Sequence, residues 1–250
     1  MSQRLNEYGQ PIGEDVPDWE ARQSPSRNSM QGRLCKLVAL DTSSQASSLF
    51  GAFNADKSGG LWTYMPVGPF NTANEFYAWM EMACLSTDPL FYAIIDMGTG
   101  KAVGIASYLR IVPEHGVIEV GNIAFSPLLQ KTPVATEAMF LMMQRVFNEL
   151  GYRRYEWKCD ALNSPSRQAA ERFGFTYDGL FEQAIVYKGR NRDTAWYSIL
   201  DRDWPLIEKA FEAWLAPDNF DADGLQKSRL FERIAQSRAD APGPAATAGY

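Results

Sequence analysis

The sequence has few of the residues that build disulfide frameworks and zinc sites. Its 250 residues include three cysteines, Cys35, Cys84 and Cys159, and a single histidine, His115. An odd number of cysteines without ligand spacing indicates neither a disulfide framework nor a zinc site. We therefore expect no metal.

Positive charge is scarce as well. The 24 lysines and arginines are outnumbered by 30 aspartates and glutamates, which gives a formal net charge of -6 and a pI near 5.0. Nucleic acids and anionic membranes are bound by clustered basic side chains, so we expect neither as a partner, whereas a basic substrate or protein tail is easier to accept. Residues 1–33 are polar and hold no long apolar run. We therefore expect no secretory signal and no membrane span, and a cytoplasmic protein.

Length and composition are those of one globular domain with appendages. With 46% hydrophobic and 22% charged residues, the chain is long enough for one sizeable core. We predict a polar arm at 1–31, a folded domain at 32–204, a helical extension at 205–238 and a disordered tail at 239–250. The extension is a candidate for packing on another subunit, and a homodimer, the commonest closed assembly, is left open.

The chain is organised around a buried strand that runs through a short loop into a helix. Thr132 is a good N-cap and Pro133 a good first helical residue, because proline lacks only an N–H that no helical acceptor would use. Apolar residues then recur at helical spacing until Gly151, and a strand follows at 155–160, so we predict a parallel crossover. The other predicted helices cover 41–54, 74–86, 163–173, 204–215 and 223–238, and the other strands 32–40, 91–96, 102–111, 117–125, 175–186 and 194–200.

The start of this helix is a candidate anion site. The backbone amides of Lys131, Thr132, Val134 and Ala135 have no helical acceptors, and the helix dipole adds a partial positive charge there. Every helix has free amides at its start, so the feature gains weight only from a motif.

The loop before the helix resembles a family motif. Phe125-Ser126-Pro127 is followed by Gln130-x-x-Pro133-x-Ala135. In the GNAT superfamily of acyl-CoA-dependent N-acetyltransferases, an apolar-x-Pro strand end precedes the pyrophosphate loop Arg/Gln-x-x-Gly-x-Gly/Ala. A proline replaces the first glycine here, so the resemblance implies pyrophosphate binding by the remaining amides, with help from Gln130, Lys131 and Thr136. It also implies an α/β fold whose central twisted sheet is mixed, mostly antiparallel and flanked by helices.

A second motif follows at the family's distance. Many GNAT enzymes carry Asn-x-x-Ala-x-x-x-Tyr-x-x-x-Gly-Phe, and here Asn163, Ser166, Ala170 and Gly174-Phe175 fall in register, without the tyrosine. The sequence resembles the ribosomal-protein Nα-acetyltransferase branch, in which a serine at the place of Ser166 protonates the leaving CoA thiolate and an asparagine at the place of Asn163 orients the pantetheine arm. The alternative is that Ser166 is only a second polar residue near a helix start capped by Ser164.

The resemblance implies that an amine attacks the thioester of acetyl-CoA directly, without an acyl-enzyme. The developing oxyanion would be bound by a backbone amide of the bulged strand at Ile123, Ala124 or Phe125. Ser166 would be the acid. Acetyl-CoA is thus the implied acyl donor, and Val134 and Ala135 belong with the implied cofactor-binding residues.

The chain differs from the ribosomal-protein Nα-acetyltransferase branch at the residue that would be the general base. The branch's glutamate falls on Ile185, which takes no proton. Glu119 is our first candidate and Glu182 the second, either acting through water, although an inward Glu119 is also consistent with a structural hydrogen-bond acceptor. His115 lies in a turn and is expected at the surface. A weak base is sufficient for an α-amino group, because its pKa of about 7.7–8.0 leaves roughly one-tenth of it neutral at pH 7. It is less suitable for a lysine side chain, whose pKa is about 10.4.

We expect an acetyl-CoA-dependent N-acetyltransferase acting on a protein N-terminus or a small amine. A CoA-binding regulatory or scaffold protein without catalysis is the alternative, motivated by Pro133 and Ile185, and transfer of a longer acyl chain is a third.

Two further segments have two interpretations each. The aromatic loop at 61–70 is either packed surface or part of the acceptor pocket, and the basic turn at 188–192 either a solvated hairpin tip or a contact with a CoA phosphate or acidic substrate.

Overall fold

The computed structural model describes residues 4–240. Its strands are β1 (Met30–Gln31), β2 (Cys35–Ala39), β3 (Leu90–Asp96), β4 (Lys101–Val112), β5 (Val117–Phe125), β6 (Arg154–Asp160), β7 (Thr176–Tyr187) and β8 (Arg190–Leu200). Its α-helices are α1 (Thr42–Phe53), α2 (Ala73–Leu85), α3 (Pro133–Gln144), α4 (Ser164–Arg172), α5 (Trp204–Leu215) and α6 (Leu230–Asp240). A π-helical turn, Arg145–Glu149, continues α3.

The strands form one eight-stranded sheet in the order β1-β2-β3-β4-β5-β6-β8-β7. Within the described residues every neighbouring pair is antiparallel except β5 and β6, which run parallel because α3 crosses between them. The predicted mixed, mostly antiparallel sheet with a parallel crossover is confirmed.

Local sequence sets most helix starts. Thr132 is the N-cap of α3 and Pro133 its first residue, as predicted. The cap predicted for α4 at Ser164 is wrong, because Asn163 takes that place and its side chain accepts a hydrogen bond from the Ser166 amide at 3.2 Å. The helix predicted to start at residue 223 starts only at Leu230. The segment before it is a turn in which the Asp221 carboxylate accepts two backbone amides.

Two hydrophobic layers cover the sheet. One face packs against α3, α4, α5 and α6, with large side chains such as Phe140 and Phe211 stacked at 5.1 Å between ring centres. The other face packs against α1 and α2, but the sheet residues in that layer come only from β2 to β5 and the segment beside them. Among residues 4–240, no helix therefore packs on the α1/α2 face of β6, β7 and β8.

The segment predicted as an N-terminal arm runs along the protein from residue 4 and is hydrogen-bonded to it. The buried Arg145 guanidinium donates to the carbonyls of Asn28 and Ser29, and the Trp19 indole donates to Glu114 O at 2.8 Å. Most of the predicted tail, from residue 241 on, lies outside the described residues. Across 4–240, none of the helices is long and apolar enough to cross a membrane.

Candidate active site

The parallel strands at the centre of the sheet separate partway along their length. β5 and β6 pair from Val117 opposite Arg154 to Val120 opposite Trp157, and then diverge. β5 continues to its end at Phe125, and no strand of the described part of the chain pairs with it there on its β6 side. The segment predicted to supply free backbone amides, Ile123, Ala124 and Phe125, therefore lines the open wedge between the two strands.

A β-bulge shapes the same segment from the other side. The pairing of β4 with β5 shifts between Ser107 opposite Gly121 and Ile105 opposite Ala124. Asn122 sits in the bulge with φ of +49°, in the left-handed region. Its side-chain amide donates to Ser107 Oγ at 2.9 Å, so the bulge is held by a buried serine. Sequence reasoning missed Asn122, although Gly-Asn within a strand is a recognisable turn-forming pair.

The loop before α3 forms a smaller cradle than predicted. The Thr132 amide donates to Leu129 O and the Ala135 amide to Thr132 Oγ1, both at 3.3 Å, so two of the four amides expected to be free are already bonded. The amides of Lys131 and Val134 have no acceptor within residues 4–240. Two backbone donors therefore remain at the helix start, on a loop that Lys131 turns with a φ of +61°.

Two side chains expected at the cradle bond elsewhere. Gln130 Nε2 donates to Phe125 O at 2.8 Å and closes the loop on itself. The Thr136 hydroxyl accepts from Arg172 Nη1 at 3.1 Å and so joins α3 to α4. Burial lowers the pKa of Arg172, whose guanidinium lies over the rings of Phe173 and Trp214. Sequence reasoning did not single out Arg172.

The residues of the second motif lie at the start of α4, beside the wedge. Trp157, in the last parallel pair, donates its indole N–H to Ser166 Oγ at 3.0 Å. Because this bond uses a lone pair of the hydroxyl oxygen, the Ser166 O–H can still donate a hydrogen bond. The buried Cys159 thiol is one acceptor within its reach, and a hydrogen bond from Ser166 opposes the rise that burial causes in the pKa of Cys159. The carbonyl oxygen of the Asn163 side chain caps the helix, which leaves its NH₂ group for another acceptor.

Glu119 belongs to a buried ionic cluster on the face that α1 and α2 leave uncovered. The residue as a whole is 3% exposed. Oε2 is paired with Arg110 Nη1 at 2.5 Å and Lys158 Nζ at 3.0 Å, and Lys158 also contacts Glu156 Oε2 at 2.7 Å. Glu119 Oε1 has no hydrogen-bond donor within the described part of the chain. One oxygen is thus anchored and the other is available.

Glu156 provides the second carboxylate of this ionic cluster. Burial alone would raise the pKa of Glu156, but hydrogen bonds from Arg154 and Lys158 outweigh it and hold that pKa below its ordinary value. Arg154 also pairs with Asp178 at 2.5 Å. The cluster therefore fixes the charged state of Glu156 and the position of Lys158.

The other acid–base candidates are exposed. Glu182 is exposed in an irregular stretch of β7, where the Gln183 amide donates to Asp193 at 2.7 Å. His115 is exposed in the turn before β5, at the end opposite the wedge. Ile185 pairs across the strands with Arg192.

The β7–β8 turn is attached to the loop between α1 and α2. Lys188 Nζ donates to the carbonyls of Trp62 and Val67 at 2.7 and 3.1 Å, and Arg190 donates to Thr63 O at 2.6 Å. Lys188 and Arg190 are exposed at the hairpin tip, as the first interpretation expected, and they also donate to backbone carbonyls of the α1–α2 loop. The contact with a CoA phosphate or an acidic substrate stays a prediction. The loop and the turn together form a roof at the end of the uncovered face.

Comparisons with known proteins agree with this geometry. A family model described as an acetyltransferase (GNAT) domain matches residues 36–176. A crystal structure of a GCN5-related N-acetyltransferase from Brucella melitensis is 47% identical with a TM-score of 0.87, over 88% of this chain and 100% of that one. A probable GNAT acetyltransferase from Chromobacterium violaceum is 37% identical with a TM-score of 0.73, over 78% and 98%. The N-acetyltransferase YnaD of Bacillus subtilis is 26% identical over 41% of this chain, and the match spans 59% of YnaD.

Proposed function

This chain belongs to the GNAT family of N-acetyltransferases, and on that premise we propose that it transfers an acetyl group from acetyl-CoA directly to a primary amine, a protein N-terminus or a small amine. The single observation that carries the proposal is the Trp157–Ser166 hydrogen bond beside the wedge between β5 and β6. It leaves an oriented hydroxyl, whose proton can still be donated, next to the edge of β5 that β6 leaves open.

The residues present fit acetyl-CoA. The open edge at Ile123 to Phe125 offers backbone groups for the pantetheine arm, and the Asn163 NH₂ group offers a further donor. The free amides of Lys131 and Val134, at the positive end of α3, fit the pyrophosphate. Acetyl-CoA supplies the activated thioester; this chain binds and orients it.

Different groups of the chain then stabilise the negative charge that develops and transfer the protons. A backbone amide of the bulged segment stabilises the oxyanion, and Ser166 donates its proton to the departing sulfur. Glu119 accepts the proton of the attacking amine through water at Oε1, the oxygen that Arg110 and Lys158 leave free. An acceptor of low pKa needs least from this base, because more of it is neutral at pH 7.

The test is product identification. The purified protein is incubated with acetyl-CoA and a panel of amino acids, small amines and N-terminal peptides, and products are read by mass spectrometry against the free thiol released. An acetylated amine in one-to-one ratio with thiol supports the proposal. Acetyl-CoA binding with no acetylated product from any amine supports the regulatory alternative.

A further inference from the structure

One strand presents a row of polar side chains to the uncovered face of the sheet. Arg192, Thr194 and Trp196 alternate along β8, so they lie on the same face. On β6, Thr194 pairs with Asp160 and Trp196 with Lys158. This is the face of the ionic cluster, whereas Ala195 and Tyr197, which alternate with the row, pack in the core on the other side.

Each of the three side chains has a buried polar atom without a hydrogen-bond partner in the described structure. These atoms are Arg192 Nε, Thr194 Oγ1 and Trp196 Nε1, and Thr194 is only 3% exposed. Buried polar groups are normally paired, so three successive exceptions on one strand face indicate a place for a ligand.

The groups without partners are mainly donors. Asp160, the carboxylate beside the row, accepts from the Tyr187 hydroxyl at 2.8 Å and from the Leu162 amide at 2.9 Å. Glu119 and Glu156 are paired with cations of the cluster. None of the ion pairs in residues 4–240 includes Arg192. The face therefore has an excess of hydrogen-bond donors and one cation without a counter-ion.

The surroundings hold these donors in place. Trp196 stacks on Phe181 with ring centres 4.3 Å apart and lies under the Lys158 ammonium at 3.7 Å, so the direction of its N–H is fixed. Ile185, the cross-strand neighbour of Arg192, is aliphatic and cannot neutralise it. The other two cations of the turn, Lys188 and Arg190, already donate hydrogen bonds to backbone carbonyls of the loop between α1 and α2.

We propose that the acceptor amine carries an anionic group, a carboxylate or a phosphate, which binds Arg192 with help from Thr194 and Trp196; this rests on the proposed acetyl transfer. A CoA phosphate does not fit the row, because the cradle precedes α3, which packs on the opposite face of the sheet. The amine end of the acceptor would then point along the face toward Glu119 and the wedge. This chemistry favours a small zwitterionic amine over a neutral protein N-terminus.

The experiment compares acceptors that differ only in the anion. Amino acids are assayed beside their amides, and aminoalkyl phosphates beside the matching amino alcohols, by amine-dependent thiol release from acetyl-CoA. The variants are Arg192→Gln, Arg192→Lys and the control Arg202→Gln, an exposed arginine just beyond the other end of β8. In wild type we expect kcat/KM for the anionic partner to exceed that of the neutral one by about 10- to 100-fold, the range of a charge-assisted hydrogen bond. Arg192→Gln removes this preference, Arg192→Lys keeps part of it and Arg202→Gln keeps all of it.

A second readout does not need turnover. The CoA-loaded protein is heated with N-acetylated amino acids or with their neutral amides, and the shift in Tm is compared. We expect protection of wild type by the acids alone, and none of Arg192→Gln. Equal rates and equal protection for charged and neutral partners overturn the anion site while leaving acetyl transfer intact. An anion preference that survives in Arg192→Gln overturns the assignment to Arg192. No thiol release from any amine, with protection by acids retained, supports the anion site and contradicts the proposed function.

Discussion

The indole nitrogen of Trp157 lies 3.0 Å from Ser166 Oγ and donates a hydrogen bond to it. Trp157 is held in the sheet where β5 and β6 separate, and Ser166 stands in the first turn of α4. A hydroxyl that accepts from a fixed donor has its remaining directions restricted, so its own proton is limited to a narrow range of directions. This relationship distinguishes Ser166 from an ordinary polar residue near a helix start.

We predict that Ser166→Ala lowers kcat for amine acetylation by about 10²-fold or more, because a positioned proton donor contributes about 10²- to 10⁴-fold. The KM for acetyl-CoA should change little, since the cradle amides and Asn163 remain. Steady-state kinetics with a saturating acceptor measure both. Ser164→Ala, an exposed serine on the same helix, is the control and should keep wild-type rates. Equal kcat in the two variants would remove Ser166 from the chemistry.

We predict that Glu119→Gln lowers kcat by about 10- to 100-fold at pH 7 and that the loss shrinks as pH rises. The amide cannot accept a proton, but an acceptor that is already neutral at higher pH does not need a base. A pH–rate profile with one acceptor measures this. Glu156→Gln removes the charge opposite Glu119 on β6, where Arg154 and Lys158 occupy both carboxylate oxygens, and should stay within a few-fold of wild type. A Glu119→Gln defect that is constant at every pH would indicate a structural role instead.

We predict that Lys188→Met raises the KM for the acceptor by roughly 3- to 30-fold and leaves the KM for acetyl-CoA unchanged. The variant removes both hydrogen bonds from the ammonium to the α1–α2 loop, and because Lys188 is exposed we expect them to contribute less than the about 1.5–3 kcal/mol typical of bonds to charged groups. Lys101→Met, at an exposed lysine, is the matched control. If both KM values rise together, the roof does not act on the acceptor alone.

We predict that Glu156→Gln lowers the free energy of unfolding by about 1–2 kcal/mol at pH 7, from the loss of charge-assisted bonds to Arg154 and Lys158. The folded-state pKa of Glu156 lies below its ordinary value, so the wild-type advantage is present above pH 4.5 and is lost as pH falls through the folded-state pKa. Urea unfolding at a series of pH values measures it. Glu182→Gln, at an exposed position, should show no such pH-dependent difference.

The features of the fold that were predicted correctly depend on signals from residues close together in the sequence. The Thr132–Pro133 start of α3 and the crossover to β6 depend on neighbouring residues, and both are observed. The α4 cap was predicted one residue late because Asn163 and Ser164 are both good capping residues, and only the fold decides between them.

Much of the candidate site could not be predicted, because it depends on contacts between distant parts of the chain. Lys158 meets Glu119 from 39 positions away, and Lys188 meets Trp62 from 126 positions away. From the sequence alone, both lysines are expected to be solvated surface charges, because their partners become evident only when the register of the sheet is known. Arg172 is similar, since its burial depends on α5 and α3 rather than on its own helix.

The most direct test of direct acetyl transfer is rapid mixing of the protein with acetyl-CoA, with and without an amine that it acetylates. We expect no thiol burst without amine. With amine, we expect thiol release that matches the acetylated product from the first turnover and is slowed in Ser166→Ala. A burst of thiol equal to the enzyme concentration in the absence of amine would mean that an acetyl-enzyme forms, and would contradict direct transfer.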